Sequence, residues 1–314
     1  MMLASEHLGS ARRLNPGRRV APDFAVERIA LDRFAARFPD QFLNAGVAEQ
    51  SMTAVATGLA LEGRTVFTYS IANLPIRRPL EFIRNDAAYY DANVNVVAIG
   101  GGFGYGALGI SHHATEDLAI MRALPGITLV SPCCNWEVAE AVPALASIPG
   151  TTYLRLDKST AGDTRLPGES FRLGKARTLR DGRDATLIAT GGIMCEVLEA
   201  ARALEESGLS CRVLSMHTID PLDAEAVFSA VRDTGVVITV EEHTVKGGLG
   251  GAVAEVCLEA GITPRAFRRI GVRAGFSSVV GSQRYLRGVY EMDAKAIIER
   301  TRSAIQEPES EETP

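Results

Sequence analysis

Val94-Asn95-Val96-Val97-Ala98-Ile99-Gly100-Gly101-Gly102 is the stretch on which the fold turns. Its six non-glycine residues include a single polar side chain, Asn95, and the run stops at three glycines. β-Branched residues dominate, so it reads as a strand. Its near-continuous apolarity, rather than alternation, predicts burial on both faces, as in a parallel sheet covered by helices. Upstream, residues 48–62 have helical spacing and stop at Gly63, residues 65–69 are β-type, and residues 80–90 are helical again. Downstream, residues 116–123 and 135–146 read as helices, and 128–131 and 153–156 as strands. Strands alternating with helices in this way predict an α/β fold.

Working outward, residues 3–14 read as a short helix stopped by Asn15-Pro16-Gly17, 18–24 as a strand, 34–38 as a helix ended by Pro39, and 41–46 as a short strand. Residues 160–184 are rich in Gly, Pro, Arg and Asp and break the pattern, so they read as a linker. The alternation then restarts, with strands over 185–190, 211–215 and 236–240 and helices over 194–207, 224–233 and 250–260. The expected organisation is a first α/β domain over 1–160, a linker over 161–183, a second, smaller parallel-sheet-based α/β domain over 184–305, and a disordered acidic tail over 306–314.

The 314 residues are 46% hydrophobic and 23% charged, an ordinary globular balance large enough to bury cores without disulfides or metals as staples. A formal net charge of −5 without a basic block argues against nucleic acid as a partner. The five cysteines (Cys133, Cys134, Cys195, Cys211 and Cys257) form no C-x-x-C pair and read as reduced, packed thiols of a cytoplasmic protein. The N-terminus shows no apolar core for a signal peptide, and no apolar run approaches the ~20 residues that span a membrane.

Three clusters could carry chemistry. Glu49 lies in Asn44-Ala45-Gly46-Val47-Ala48-Glu49-Gln50, where a strand is expected to turn into a helix, at the end of the sheet where α/β folds place ligands. Flanked by Val47 and Ala48, its carboxyl group is poorly solvated, which suits proton exchange with a bound heterocycle. Taken alone, it reads more readily as an exposed acid at a helix N-terminus. Gly100-Gly101-Gly102-Phe103-Gly104-Tyr105-Gly106 follows a strand but opens no helix, which rules out a dinucleotide fingerprint and leaves a loop that lets a ligand approach the backbone. His112-His113 reads either as polar loop surface or as a proton-transfer and hydroxyl-binding pair; no acidic or thiol cluster accompanies it to hold a metal. Glu241-Glu242-His243 with Gly247-Gly248-Leu249-Gly250-Gly251 reads as structural packing between the domains, around a tight turn into a helix.

These stretches together resemble the transketolase family over nearly the whole chain. Arg37-Phe38-Pro39-Asp40-Gln41-Phe42-Leu43-Asn44-Ala45-Gly46-Val47-Ala48-Glu49-Gln50 is similar to the family's "RFPDRFxNxGIAEQ" signature, Ser111-His112-His113-Ala114-Thr115-Glu116-Asp117 to its "THQxxED", and Met121-Arg122-Ala123-Leu124-Pro125-Gly126 to its "MRxxPG". Val240-Glu241-Glu242-His243 and Gly247-Gly248-Leu249-Gly250 resemble its C-terminal domain. The resemblance covers the pyrimidine-binding and C-terminal domains, whereas the diphosphate-binding "GDG" motif is not in this sequence. It therefore implies a separate subunit that anchors the diphosphate of thiamine diphosphate and its Mg2+, in an α2β2 heterotetramer. It further implies that Glu49 hydrogen-bonds the aminopyrimidine ring and promotes the imino form that leads to the nucleophilic ylid. A two-carbon ketol unit would then pass from a ketose to an aldehyde. His112 matches the family His that contacts substrate hydroxyls, with His113 beside it. Lys158 falls where the family has an Arg for the sugar phosphate, and a lysine holds phosphate as a point charge.

The sequence departs from the family in three places. The "TFxxF" aromatics beside the pyrimidine are replaced by Ile71 and Leu74, so those two, with Phe67 or Tyr69 in compensation, are expected to pack the ring. Leu108 stands where an Asp reads a donor hydroxyl, and Gly100 where a His stands. Losing both should weaken recognition of a polyol, which predicts a non-standard donor or acceptor. Two alternatives stay open: a thiamine enzyme acting on 2-oxo acids, such as the β subunit of a dehydrogenase or an acyloin-forming synthase, and a non-catalytic regulatory subunit.

Overall fold

A computed structural model of the chain describes residues 20–22, 28–273 and 275–307. The helix expected over 3–14 and the tail from residue 308 lie outside the described residues.

Two α/β units follow one another. The first sheet has the order β1-β2-β3-β5-β4-β9, with β1 Val20–Pro22, β2 Val66–Ile71, β3 Val94–Ile99, β4 Thr128–Val130, β5 Thr152–Leu156 and β9 Thr218–Asp220. The second runs β11-β10-β7-β8-β6, with β6 Arg177–Arg180, β7 Ala185–Ala189, β8 Cys211–Ser215, β10 Val236–Thr244 and β11 Ala266–Val272. Pairing is parallel throughout except at β4–β9 and β6–β8. β2 and β3 are buried along their whole length; the apolar run of β3 predicts this, whereas β2 is buried despite Thr68 and Ser70.

Helices cover both faces of each sheet. In the first unit these are α1 Arg28–Arg37, α2 Glu49–Leu61, α3 Leu74–Arg77, α4 Leu80–Phe82 (continuing as π-helix over Ile83–Ala88), α5 Asp117–Arg122 and α6 Asn135–Ser147. In the second they are α7 Met194–Glu206, α8 Ala224–Thr234, α9 Leu249–Glu259, α10 Gln283–Val289 and α11 Ala294–Gln306. Leu31, Phe34, Val97 and Val142 fill one face of the first sheet, and Ala56, Ile83, Val96 and Leu118 the other. Val197, Leu204, Val213 and Ile297 do the same on one side of the second sheet, and Val227, Val237 and Val253 on its far side. Gly63, at φ +81°, ends α2 where predicted.

Three expectations need correction. Residues 41–46 form no extended strand: Pro39 opens a 3₁₀ turn over Pro39–Gln41, and an irregular segment leads to α2. The supposed linker carries β6, a short polar edge strand antiparallel to β8. β9, from the second half of the chain, closes the first sheet against β4, so the two units share a sheet edge.

Candidate active site

The carboxyl ends of β2, β3, β4 and β5 converge on one mouth of the first sheet, where α/β folds place ligands. A cleft of about 270 Å³ opens there, lined by Ile99, Cys133, Cys134, Asp157, Lys158 and Ser159 among others.

Glu49 is the first residue of α2 and is 1% exposed. Its Oε2 accepts a hydrogen bond from Arg78 Nη1 at 3.0 Å, while Oε1 is buried with no partner. The burial expected from the sequence is present. The cation facing it was not foreseen, because 29 residues separate Arg78 from Glu49 and nothing local marks the pair.

The ring-packing candidates divide. Phe67 and Tyr69 are buried in the core against Leu31, Phe34 and Val97, so they are committed to packing and cannot stand beside a cofactor. Both lie deeper in β2 than Ile71, packed beneath α1 and α6, whereas Ile71 ends the strand. Ile71 is buried at the end of β2, and Leu74 is half-buried at the head of α3.

The two histidines also part company. His112 is half-exposed, its Nδ1 2.9 Å from Ser111 Oγ. His113 is fully buried: Nε2 lies 3.1 Å from the Gly106 carbonyl oxygen, and Nδ1 2.8 Å from Ser277 Oγ. The Ser277 carbonyl oxygen also lies 3.0 Å from Nδ1, so each ring nitrogen faces a backbone carbonyl oxygen. Nδ1 thus ties the loop to the second unit and Nε2 braces it from within at Gly106, so neither ring nitrogen is left for a substrate. Leu108 is 55% exposed on a 3₁₀ turn, Gly106–Leu108. Gly100, at φ +87°, leaves no room for a side chain, because an added Cβ would lie 2.2 Å from the Tyr105 ring. Lys158 Nζ stacks 3.4 Å from the centre of that ring. The sequence offered no sign of this role for Tyr105.

The loop bearing Lys158 is held from behind by the second unit. Asp157 Oδ1 accepts from Gln283 Nε2 at 2.8 Å, and Arg287 Nη2 donates to Ser159 Oγ at 2.6 Å. Arg287 also pairs with Glu242, whose carboxylate accepts from Phe103 N at 2.5 Å. Burial pushes the Glu242 carboxyl up, and Arg287 opposes the shift. Arg155, 1% exposed, donates to Asp117 Oδ2 at 2.8 Å and to the Glu242 carbonyl oxygen at 3.0 Å. Glu241, expected to be structural, takes the backbone N–H groups of Leu249 and Gly250, each at 2.8 Å, and so caps α9.

All five cysteines are free thiols. A hydrogen bond from Cys133 holds Cys134 down at about 6 against the upward push of burial, and the same bond, with burial, raises Cys133. Glu137 lies beside them, but its oxygens already accept from Cys133 N, Arg177 and Ser215.

Comparisons with known proteins identify the family. The profile "Transketolase, pyrimidine binding domain" matches residues 26–163, and "Transketolase, C-terminal domain" matches residues 174–297. The chain belongs to the transketolase family. It is 39% identical over 245 residues to one subunit of the apulose-4-phosphate transketolase of Phocaeicola vulgatus, covering 78% of each chain. It is 37% identical over 269 residues to a 6-deoxy-6-sulfo-D-fructose transketolase subunit of a Clostridium species, covering 86% of this chain and 83% of that protein. A solved structure described as a split gene transketolase, inactive beta4 tetramer, superposes with a TM-score of 0.84 at 32% identity, covering 96% of both chains. Among the described residues, no helix of this transketolase-family chain is long and apolar enough to cross a membrane.

Proposed function

We propose that this chain is the cofactor-activating subunit of a two-subunit, thiamine-diphosphate-dependent transketolase that moves a two-carbon ketol unit from a ketose donor to an aldehyde acceptor. One observation carries the reading: Glu49 is buried at the head of α2 with Oε2 held by Arg78 and Oε1 left unpartnered. A buried carboxylate oxygen without a partner fits a ring nitrogen that a bound aminopyrimidine would bring. When bound, thiamine diphosphate supplies the electron sink for making and breaking carbon–carbon bonds beside a carbonyl. Glu49 holds and exchanges a proton at Oε1, and Arg78 fixes the carboxyl plane. Ile71 and Leu74 pack the ring, His112 meets substrate hydroxyls, and Lys158 holds an anionic substrate end.

The diphosphate and Mg2+ are assigned to a partner subunit with a diphosphate-binding domain, in an α2β2 assembly. Mg2+ takes oxygen ligands, and the thiol-rich group at Cys133, Cys134 and Glu137 does not suit it. A split relative described as inactive in its beta4 form supports the need for a second chain. The free thiols support a cytoplasmic setting. A non-standard sugar is favoured because Gly100 and Leu108 offer no polar side chain, and because two relatives are named for apulose 4-phosphate and 6-deoxy-6-sulfo-D-fructose. We place the start of the second domain at β6, Arg177–Arg180, because that strand pairs with β8.

The test is reconstitution with the co-purifying partner subunit, thiamine diphosphate and Mg2+, followed by a screen of ketose donors and aldehyde acceptors. Ketol transfer by the complex, absent from either chain alone, is expected. Carbon dioxide release from pyruvate without ketol transfer would point to 2-oxo-acid chemistry instead. A cofactor-loaded complex whose turnover does not depend on Glu49 would point to a regulatory subunit.

A further inference from the structure

The loop after β3 contains a buried phenol hydroxyl that nothing in the fold satisfies. Tyr105 is 7% exposed, and its hydroxyl has no hydrogen-bond partner among the described residues. Leaving such a group unpaired is costly, so a buried hydroxyl ordinarily finds protein, water or ligand. Its ring is held in place. It lies against Gly100, where an added Cβ would come within 2.2 Å of Cε2. The Lys158 ammonium sits on its face, 3.4 Å from the ring centre, which is a cation–π contact. The His112 ring centre is 6.3 Å away. Every other residue from 100 to 110 is glycine or apolar, so Tyr105 carries the one hydrogen-bonding side chain of that stretch.

We infer that the Tyr105 hydroxyl reads a substrate oxygen, a hydroxyl on the part of the ketose beyond the two-carbon unit that is transferred, and is thereby a specificity-determining residue. This rests on the ketol-transfer reading, which places Lys158 and His112 at the substrate. A phenol both donates and accepts, so it serves a sugar hydroxyl in either sense. Tyr105 answers the absence of side-chain polarity at positions 100 and 108: the ring occupies the space a side chain at 100 would need, and brings its own polar atom there.

The experiment uses the reconstituted complex and two donors, with the best aldehyde acceptor of the screen as the common acceptor. One donor is the best ketose of that screen, which spans xylulose 5-phosphate, fructose 6-phosphate, sedoheptulose 7-phosphate, apulose 4-phosphate and 6-deoxy-6-sulfo-D-fructose. The other is hydroxypyruvate, which delivers the same two-carbon unit with loss of carbon dioxide and has no hydroxyl beyond the bond that breaks. In Tyr105→Phe the ratio of kcat/KM for the ketose to that for hydroxypyruvate should fall about tenfold, the effect of one hydrogen bond, with no drop in melting temperature. An unchanged ratio, whether through no loss or through equal loss on both donors, overturns the inference. A Glu49→Gln complex separates the two levels. If the wild-type complex uses both donors, Glu49→Gln uses neither and Tyr105→Phe keeps the ratio, then only the role of Tyr105 fails. If the wild-type complex uses no donor, the ketol-transfer reading fails and this inference fails with it.

Discussion

The two sheets have the same doubly covered, mostly parallel build, yet their mouths differ. At the first, Glu49 Oε1 and the Tyr105 hydroxyl are buried without partners, and a cleft opens beside Lys158. At the second, the acidic residues are fully engaged: Glu241 caps α9, and Glu242 is held by Phe103 N, Gln283 and Arg287. Acidic residues at a strand's carboxyl end are therefore not by themselves a site. What distinguishes the first mouth is polar capacity that the fold leaves unspent, while the second mouth uses its capacity to hold the first in place.

Perturbing the second mouth should break the clamp. Arg287→Ala leaves Glu242 buried and uncompensated, and should lower unfolding free energy by about 3–5 kcal/mol in chemical denaturation. Gly100→Val tests the packing of the first mouth. It combines φ +87° with a collision against Tyr105, so a loss of about 1–3 kcal/mol is expected. An unchanged denaturation midpoint would show that the loop simply moves aside. A subtler effect concerns His217, which is fully buried beside β9 and whose pKa is lowered, chiefly by burial. Its folded pKa lies below the unfolded value of about 6.5, so the unfolded chain takes up the proton first. Stability should fall as pH drops below about 6.5, and the decline should flatten below the folded pKa. His217→Gln should abolish that slope in melting temperature measured against pH. The smallest stability effect belongs to Leu108→Asp, on the exposed 3₁₀ turn, at about 0.5 kcal/mol or less. In the donor screen it should shift preference towards donors richer in hydroxyl groups.

The same contrast governs what was legible in the sequence. The apolar run of β3 and the glycine stop after α2 are local signals, and they placed a buried parallel strand and a helix end where the structure has them. Edge strands were harder. β6 is short and polar, and β11 carries Arg268 and Arg269 at half-buried positions, so neither shows an uninterrupted apolar run. β9 was invisible because three residues from the second half of the chain pair with a strand in the first. Within the site, Glu49 could be picked out by resemblance, but its pairing with Arg78 could not. Phe67 and Tyr69 were misplaced because proximity in sequence to the family's aromatics says nothing about how deep in a strand, away from the mouth, a residue sits. His113 looked equivalent to His112 until their surroundings separated them.

The most direct measurement is turnover of the reconstituted complex carrying Glu49→Gln beside one carrying Glu241→Gln, each normalised to the amount of correctly assembled, cofactor-loaded protein. Removing a proton-exchanging group costs about 10²–10⁴-fold in rate. The account predicts a loss in that range for Glu49→Gln, with a melting temperature close to wild type, whereas Glu241→Gln should lose melting temperature and keep its turnover per folded complex. Full ketol transfer by the Glu49→Gln complex, or a greater loss of turnover in Glu241→Gln, would contradict it.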